Sequence, residues 1–581
     1  MFNLDLNKTK APGKNYKWIA LSNTTMGGFM AALDGSCVMI ALPAIFRGIK
    51  LDPLASTSSA YVLWVLTGYT LILAVLMVTL GRIGDMFGRV RMYNLGFVIF
   101  SVASILLSLT WSTGPAGAIE LIIFRGIQAV GGACLFANSA AILTDAFPSN
   151  QRGLALGINQ VSFIAGGLIG IIAGGLLAEV GWRWVFRVSI PVAVAGTIWA
   201  YLALREMGVR TRTKIDWVGN VTFAAGLAML LIGVTYGIQS HGTSAMSWNT
   251  PFVLGMLFGG AAALVFFMFV ERHVEEPMFK MGLFRIRAFT AGSVAAMLFS
   301  MSSGGFQFMV SIWLQGIWLP LHGYNFEVTP FWAGIFMLPQ TAGFLMMGPM
   351  SGYLSDRFGS RLFTTVGMIL TAMAFGLFML LPVNFLYWQF ALVLVFMGLA
   401  TGLFGSPNMS AVMNSVPPEN RGAASGMRAA FFNVGQPLSN GVFFSLMTVG
   451  LSATIPAAVY AGLAQNGISP AVASQLAHMP PLGYILAALM GYNPMGNLLG
   501  SQVLSSLPAA TAQQLMSRSF FPQLISGSFR HGLVMVLSFS VVVSLFAAWA
   551  SWLCGKRFVY GQGLQEKTKK GPAANVTDKS V

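Results

Sequence analysis

An all-α polytopic membrane protein is the fold class this sequence predicts, with fourteen spans forming two six-helix bundles and two additional central helices. Composition, the recurrence of long apolar runs and an internal repeat predict it. Only 9% of the 581 residues are charged and 56% are hydrophobic, whereas a soluble domain carries about 25% charged residues. The runs are about 20 residues long, enough to cross hydrocarbon as helices and too long for barrel strands.

In order, the expected spans are 18–45, 60–80, 92–111, 116–147, 153–180, 184–204, 217–238, 252–270, 289–318, 330–354, 362–381, 387–413, 423–450 and 532–553. The formal net charge of +16 would suggest nucleic acid in a soluble chain. Here Lys and Arg collect in every second connection, as in Arg82–Arg91, Arg205–Lys214, Arg272–Arg287 and Arg357–Arg361. The positive-inside rule then places both termini in the cytoplasm, which an even number of spans requires. The expected partners are the bilayer, a small-molecule substrate and H+, with no nucleic acid and no obligate protein partner. The N-terminus lacks a short apolar region with a small-residue cleavage site, so the first run reads as a retained span. Cys37, Cys134 and Cys554 lie in or at the end of apolar runs without metal-like or disulfide spacing, and read as small core residues.

The repeat sets the architecture. GRIGDMFGRVR (Gly81 to Arg91) recurs as GYLSDRFGSR (Gly352 to Arg361), and RGLALG from Arg152 recurs as RGAASG from Arg421 at nearly the same offset. Two related halves are the mark of transporter folds built from repeats. Spans three to ten lie between Asp85 and Asp356, eight rather than six, so 217–238 and 252–270 are additional to the halves. The expected organisation is a cytoplasmic segment 1–17, a bundle 18–205, a linker region 206–284 holding the two inserted helices, and five helices of the second bundle in 285–450. A long external loop 451–530, the last helix in 531–555 and a basic cytoplasmic tail 556–581 complete it. Within the loop, GYILAALMGYNPMGNLLG is apolar but too short and too Gly/Pro-broken to span, and is expected to pack over the external mouth.

These residues resemble the major facilitator superfamily, whose signature is a Gly-x-x-x-Asp-x-x-Gly-Arg-x-Arg loop between the second and third spans. Gly81, Asp85, Gly88, Arg89 and Arg91 match it, and Gly352, Asp356, Gly359 and Arg361 match in the second copy. Arg125, Gln128 and Gly131 in RGIQAVGGA resemble an Arg-x-x-Gln-Gly region of proton-coupled members. LDGSCVMIALPAI and WRWVFRVSIPV are similar to the fourteen-helix drug:proton antiporter branch. The fifth-span pattern of that branch, Gly-Pro-x-x-Gly-Gly, reads here Gly170-Ile171-Ile172-Ala173-Gly174-Gly175. Gly166, Gly170, Gly174 and Gly175 keep the close helix packing that small residues allow, and Ile171 stands at the proline position. The resemblance implies a major facilitator fold and drug export by H+ antiport.

Asp34 lies about 24 Å along the first span from Trp18, and Arg125 about 13 Å into the fourth from the opposite side. Both therefore sit in the outer half of one bundle. An acid at membrane depth costs about 2.5–3.5 kcal/mol on insertion scales and is read as functional. Burial disfavours its charged form, as proton exchange near neutral pH requires. Asp34 is expected to alternate between protonated and ionised or substrate-bound states, with Arg125 and Gln128 tuning it; a static Asp–Arg pair is the structural alternative. Asp85 and Asp356 are expected to gate, through charged pairing across helix ends that holds one bundle against the other. A purely topological role is the other reading of those turns.

Substrate is expected near midplane between the halves. From the first half the candidates are Phe29, Met30, Trp64, Asn138, Asn159, Gln160 and Phe163. From the second they are Phe306, Gln307, Gln315, Asn408, Phe432, Asn433 and Gln436. Aromatic and Met side chains give an adaptable apolar wall, and amides give neutral hydrogen bonds. Arg428 either snorkels to the cytoplasm or meets an anionic substrate group. No phosphate loop, metal spacing or Ser/His/Asp arrangement stands out, so the chain is expected to be no enzyme and to use no cofactor, the proton gradient driving it. The expected function is proton-coupled export of hydrophobic or cationic small molecules across the cell membrane. A transporter of a specific, anionic metabolite and a non-transporting ligand receptor are the alternatives.

Overall fold

Fourteen helices among the described residues are long and apolar enough to cross a membrane. The structure, a computed structural model, describes residues 15–52, 58–148, 151–207, 216–237, 247–274, 277, 279–417, 421–477, 481–490, 493 and 495–555. The expected N-terminal segment up to residue 14 and the basic tail 556–581 lie outside the described residues, as do the side chains of Gln160 and Asp356.

The first half comprises α1 (Tyr16–Gly48), α2 (Ser58–Phe87), α3 (Arg89–Leu109), α4 (Gly114–Ala146), α5 (Arg152–Val180) and α6 (Trp184–Ala203). Helices α7 (Trp217–Gly237) and α8 (Pro251–His273) follow. The second half begins with α9 (Arg287–Leu321), α10 (Thr329–Phe358), α11 (Ser360–Leu380), α12 (Tyr387–Ser415) and α13 (Arg421–Gln465). Four short helices, α14 (Pro470–Ala477), α15 (Pro481–Leu489), α16 (Met495–Ser506) and α17 (Ala509–Leu515), precede the last spanning helix, α18 (Phe520–Leu553). Prolines inside α1, α10, α12 and α13 are tolerated because neighbouring helices re-satisfy the freed backbone groups.

The repeat appears as matched backbone. Gly88 (φ 116°) and Gly359 (φ 91°) make the same turn between α2 and α3 and between α10 and α11, a conformation that Cβ-bearing residues avoid. Small residues also set the same spacing in each half. A Cβ on Gly131 would fall 2.8 Å from the Gly96 carbonyl oxygen, and one on Gly367 would fall 3.1 Å from that of Ala400.

Helices α7 and α8 pair at Gly226 and Gly260, where each glycine's Cβ would meet the other's carbonyl oxygen at 3.1 and 2.8 Å. The pair lies beside both halves. Thr79 of α2 bonds to Asn220 of α7, and a Cβ on Gly441 of α13 would touch Val234 of α7 at 2.2 Å. Phe258, Val265, Phe266 and Phe269 leave the other side of α8 exposed and apolar, suited to lipid.

Two expected boundaries move. Helix α13 runs past 450 to Gln465 and α18 begins at Phe520 rather than 532, so much of the long loop extends the flanking helices. A hydrocarbon-length rule sets the minimum span and not where a helix stops. The apolar segment expected over the mouth divides between the end of α15 and the start of α16. A Cβ on Gly316 of α9 would lie 3.3 Å from the Ala488 carbonyl carbon and the Leu489 nitrogen. Beneath it α9 winds as a π-helix over Trp313–Trp318, and every residue from Phe308 to Pro320 is buried.

Helix α1 reveals the state of the molecule. Thr25, Gly28, Phe29, Gly35, Ser36 and Met39 keep exposed surface at helical spacing, whereas residues 40–46 are all buried. Because α1 packs among α4, α5, α6 and α10, that stripe faces an internal cavity. The accessible stripe lies toward the start of α1, the end on the same side as the Gly88 turn, and stops at Met39.

Candidate functional site

Asp34 and Arg125 meet. Arg125 Nη1 donates to Asp34 Oδ2 at 2.6 Å, and their side chains are 4% and 0% exposed respectively. The same Nη1 donates to Gln128 Oε1 at 2.7 Å, and Gln128 Nε2 donates to Asp34 Oδ1 at 3.0 Å. Spacing on α4 explains the closed triangle, since residues three apart on a helix share a face. One carboxylate thus holds both side chains of that face.

Three further residues complete the site, and sequence reasoning did not single them out. Ser189 Oγ donates to Asp34 Oδ1 at 3.3 Å. Gln128 Nε2 donates to Ser104 Oγ at 3.0 Å. The Arg125 guanidinium lies 4.4 Å from the centroid of the Tyr69 ring, a cation–π contact. Ser189 follows the interruption in α6 at Val188, inside a stretch already marked by resemblance. Nothing in the sequence distinguishes Ser104 from other intramembrane serines. Arg125 Nε and the Tyr69 hydroxyl are buried without a hydrogen-bond partner among the described residues.

Two segments of the chain, 24–219 and 215–440, match the family model described as Major Facilitator Superfamily. The chain belongs to the Major Facilitator Superfamily. It is a multi-pass membrane transporter and not an enzyme. It is 28% identical over 441 residues to the riboflavin transporter RibZ of Clostridioides difficile, covering 75% of this chain and 89% of that protein. The tetracenomycin C resistance and export protein of Streptomyces glaucescens is 29% identical, with 76% of this chain and 77% of that protein covered. The multidrug resistance protein Stp of Mycobacterium tuberculosis is 28% identical, with 75% and 77% covered. Among solved structures, an inward-facing, unoccupied bacterial homologue of the human lysosomal transporter Spinster superposes with a TM-score of 0.55 at 17% identity. That match covers 93% of this chain and 98% of the other and shows the shared fold.

The superfamily's signature turn is held from within its own bundle. Arg89 Nε donates to Asp85 Oδ1 at 2.7 Å, and Arg89 Nη1 reaches both oxygens of Asp145 on α4 at 2.8 Å. Glu206 accepts from the backbone N–H groups of Arg89 and Val90, at 3.1 Å each, capping the start of α3. The expected pairing across bundles is therefore corrected: this turn's ion pairs staple α2 to α4. Gly81 and Asp85 lie in α2 and Arg91 is exposed on α3. In the second copy, Arg361 stacks 3.6 Å from the ring centroid of Trp552 on α18, again within its own half. The Asp356 side chain lies outside the described residues. Gly166, Gly170 and Gly174 seat α5 on α1, where added Cβ atoms would fall 2.3, 2.4 and 2.8 Å from the carbonyl oxygens of Phe29, Leu33 and Cys37.

The pocket candidates divide. Phe29 shows surface to the cavity, Asn159 donates to Ser139 at 3.4 Å behind Gly28, and Phe163, 37% exposed, packs edge-on against Phe136. Asn433 Nδ2 reaches Met77 Sδ at 3.2 Å and Gln315 Nε2 reaches the Ile40 carbonyl at 3.3 Å; both contacts join the halves. Gln307 and Gln436 are partly exposed. Six candidates leave the pocket wall, Gln315 and Asn408 among them because their side chains are fully buried. Met30 is fully buried in the core of the first bundle, and Phe306 packs against Phe375 and Phe378 in that of the second. Trp64 joins the cluster uniting α2 with α7 and α8, and Asn138 is tucked against Gly84 of α2. Each lies on a helix whose other faces also meet helices, so apolar character does not mark the cavity side. Gln160 lies outside the described side chains. Asn408, Arg428 and Phe432 gather in the second half.

Proposed function

We propose that this transporter exports hydrophobic or cationic toxic compounds by proton antiport, with Asp34 the proton carrier. The observation that carries the reading is a carboxylate sealed from water and held by Arg125, Gln128 and Ser189. Protonating Asp34 removes the charge that Arg125 holds, which loosens α1 from α4 and biases the bundle toward its other arrangement. Deprotonation restores the grip. The proton gradient supplies the driving force, without a cofactor. Placing the basic turns in the cytoplasm, by the distribution of Lys and Arg, makes the open cavity the loading side of an exporter in the cell membrane. The export and multidrug-resistance names of the Streptomyces and Mycobacterium relatives support that direction.

Transport of a defined metabolite is the second reading, favoured by the riboflavin transporter among the relatives and by a cation, Arg428, in the second half. The deciding experiment for coupling uses purified protein in liposomes with an imposed proton gradient. Asp34→Asn is expected to lose gradient-driven flux of a lipophilic dye while retaining dye exchange without a gradient. Undiminished gradient-driven flux in that variant would sink the proposal.

A further inference from the structure

Arg428 is a cation within the second half with which no described residue forms an ion pair. Every ion pair between two described residues lies in the first half. The residue is partly buried and keeps solvent-accessible surface, and its guanidinium turns inward to a fully buried side chain of α12. Snorkelling to the membrane surface does not describe it. Arg428 is seven residues past the start of α13, about 10 Å along the helix.

Its orientation is built. Arg428 Nε donates to Asn408 Oδ1 at 3.0 Å, and Asn408 Nδ2 donates to the Gly292 carbonyl at 3.0 Å. The amide is fully buried and ties α9, α12 and α13 to one point. Nε is thereby occupied, and the two Nη groups make no bond to protein among the described residues. One turn along α13 and α12 stand Phe432 and Phe404, with Phe299 of α9 between them. Phe299 stacks on Phe404 at 4.7 Å and lies 6.4 Å from Phe432.

We infer that Arg428, held in place by Asn408, forms an anion-binding subsite beside an aromatic wall, and that the cargo includes aromatic organic anions. A guanidinium fork pairs bidentately with a carboxylate or sulfonate, and an adjoining ring stacks beside Phe299 and Phe432. The proton site and the cargo site then occupy different halves, and rocking of the halves couples them. This rests on the transport reading but not on Asp34.

The test is equilibrium binding to the full chain in phosphatidylcholine nanodiscs, with anilinonaphthalene sulfonate and its uncharged parent phenylnaphthylamine as probes. Arg428→Gln is expected to weaken sulfonate binding about tenfold and amine binding by less than about twofold, with Arg428→Lys intermediate for the sulfonate. Adding phosphatidylglycerol to the nanodiscs is expected to leave sulfonate affinity unchanged. Equal losses for both probes, no loss for the sulfonate, no binding of sulfonate to the unaltered chain, or displacement of it by phosphatidylglycerol would each overturn the subsite. Loss of gradient-driven flux in Asp34→Asn leaves these binding results unmoved, so failure of coupling and failure of the subsite are separately visible.

Discussion

At the scale of single residues, the charge at Asp34 and the charge at Arg125 are each tolerable only because of the other. Removing one partner of a buried pair leaves an uncompensated ion and costs about 3–5 kcal/mol, whereas replacing both is far milder. Arg125→Gln is therefore expected to destabilise the purified protein strongly, and Asp34→Asn combined with it to recover most of the loss. Thermal denaturation in detergent reads both; a double variant no more stable than Arg125→Gln would show that the pair is not mutually compensated. The ion pair was legible in the sequence because two charges at one depth in apolar runs have few alternatives. Ser104, Ser189 and Tyr69 were not, because neutral polar side chains satisfy themselves on their own helix. Ser104 Oγ also donates to the Phe100 carbonyl at 2.8 Å, so its presence in a span implies no distant partner.

At the scale of helices, glycine spacing along α5 sets how closely α1 can lie. Gly166, Gly170 and Gly174 recur every fourth residue, and an added methyl at Gly170 would come 2.4 Å from the Leu33 carbonyl oxygen. Nothing lies within 4 Å of the same position on Gly157 of α5. Gly170→Ala is expected to destabilise by about 1–3 kcal/mol through overpacking. Gly157→Ala is expected to be neutral or to stabilise by up to about 1 kcal/mol, since Ala is the better helix former. Thermal midpoints of the two variants test this, and equal midpoints would contradict the packing. The motif was readable from sequence, as were the number and order of the helices. Helix ends were not, since residues 451–465 continue α13 as regular helix beyond what hydrocarbon thickness demands.

At the scale of the whole molecule, alternation requires the halves to part where they now touch. Ile171 is 3% exposed and lies against Gly334 of α10, and one turn further along α5 Gly175 lies against Phe331. The residue that departs from the branch's proline pattern thus sits in the seam that closes the cavity's far end. Apolar seam residues read in sequence like any other helix contact, so which face meets the opposite half emerges only from the fold. A Cβ built on Gly334 comes 2.9 Å from Ile171 Cγ2, one bond out from Ile171 Cβ, so the two Cβ atoms lie within reach of the roughly 3.5–4.5 Å separation of a disulfide. Ile171→Cys with Gly334→Cys, made with Cys37, Cys134 and Cys554 replaced by Ala, is expected to cross-link on oxidation. The bridge should abolish transport in liposomes, spare probe binding from the open face and be reversed by reductant. If the oxidised, fully cross-linked protein still transports, the α5–α10 seam stays closed through the cycle and the halves must part along another surface.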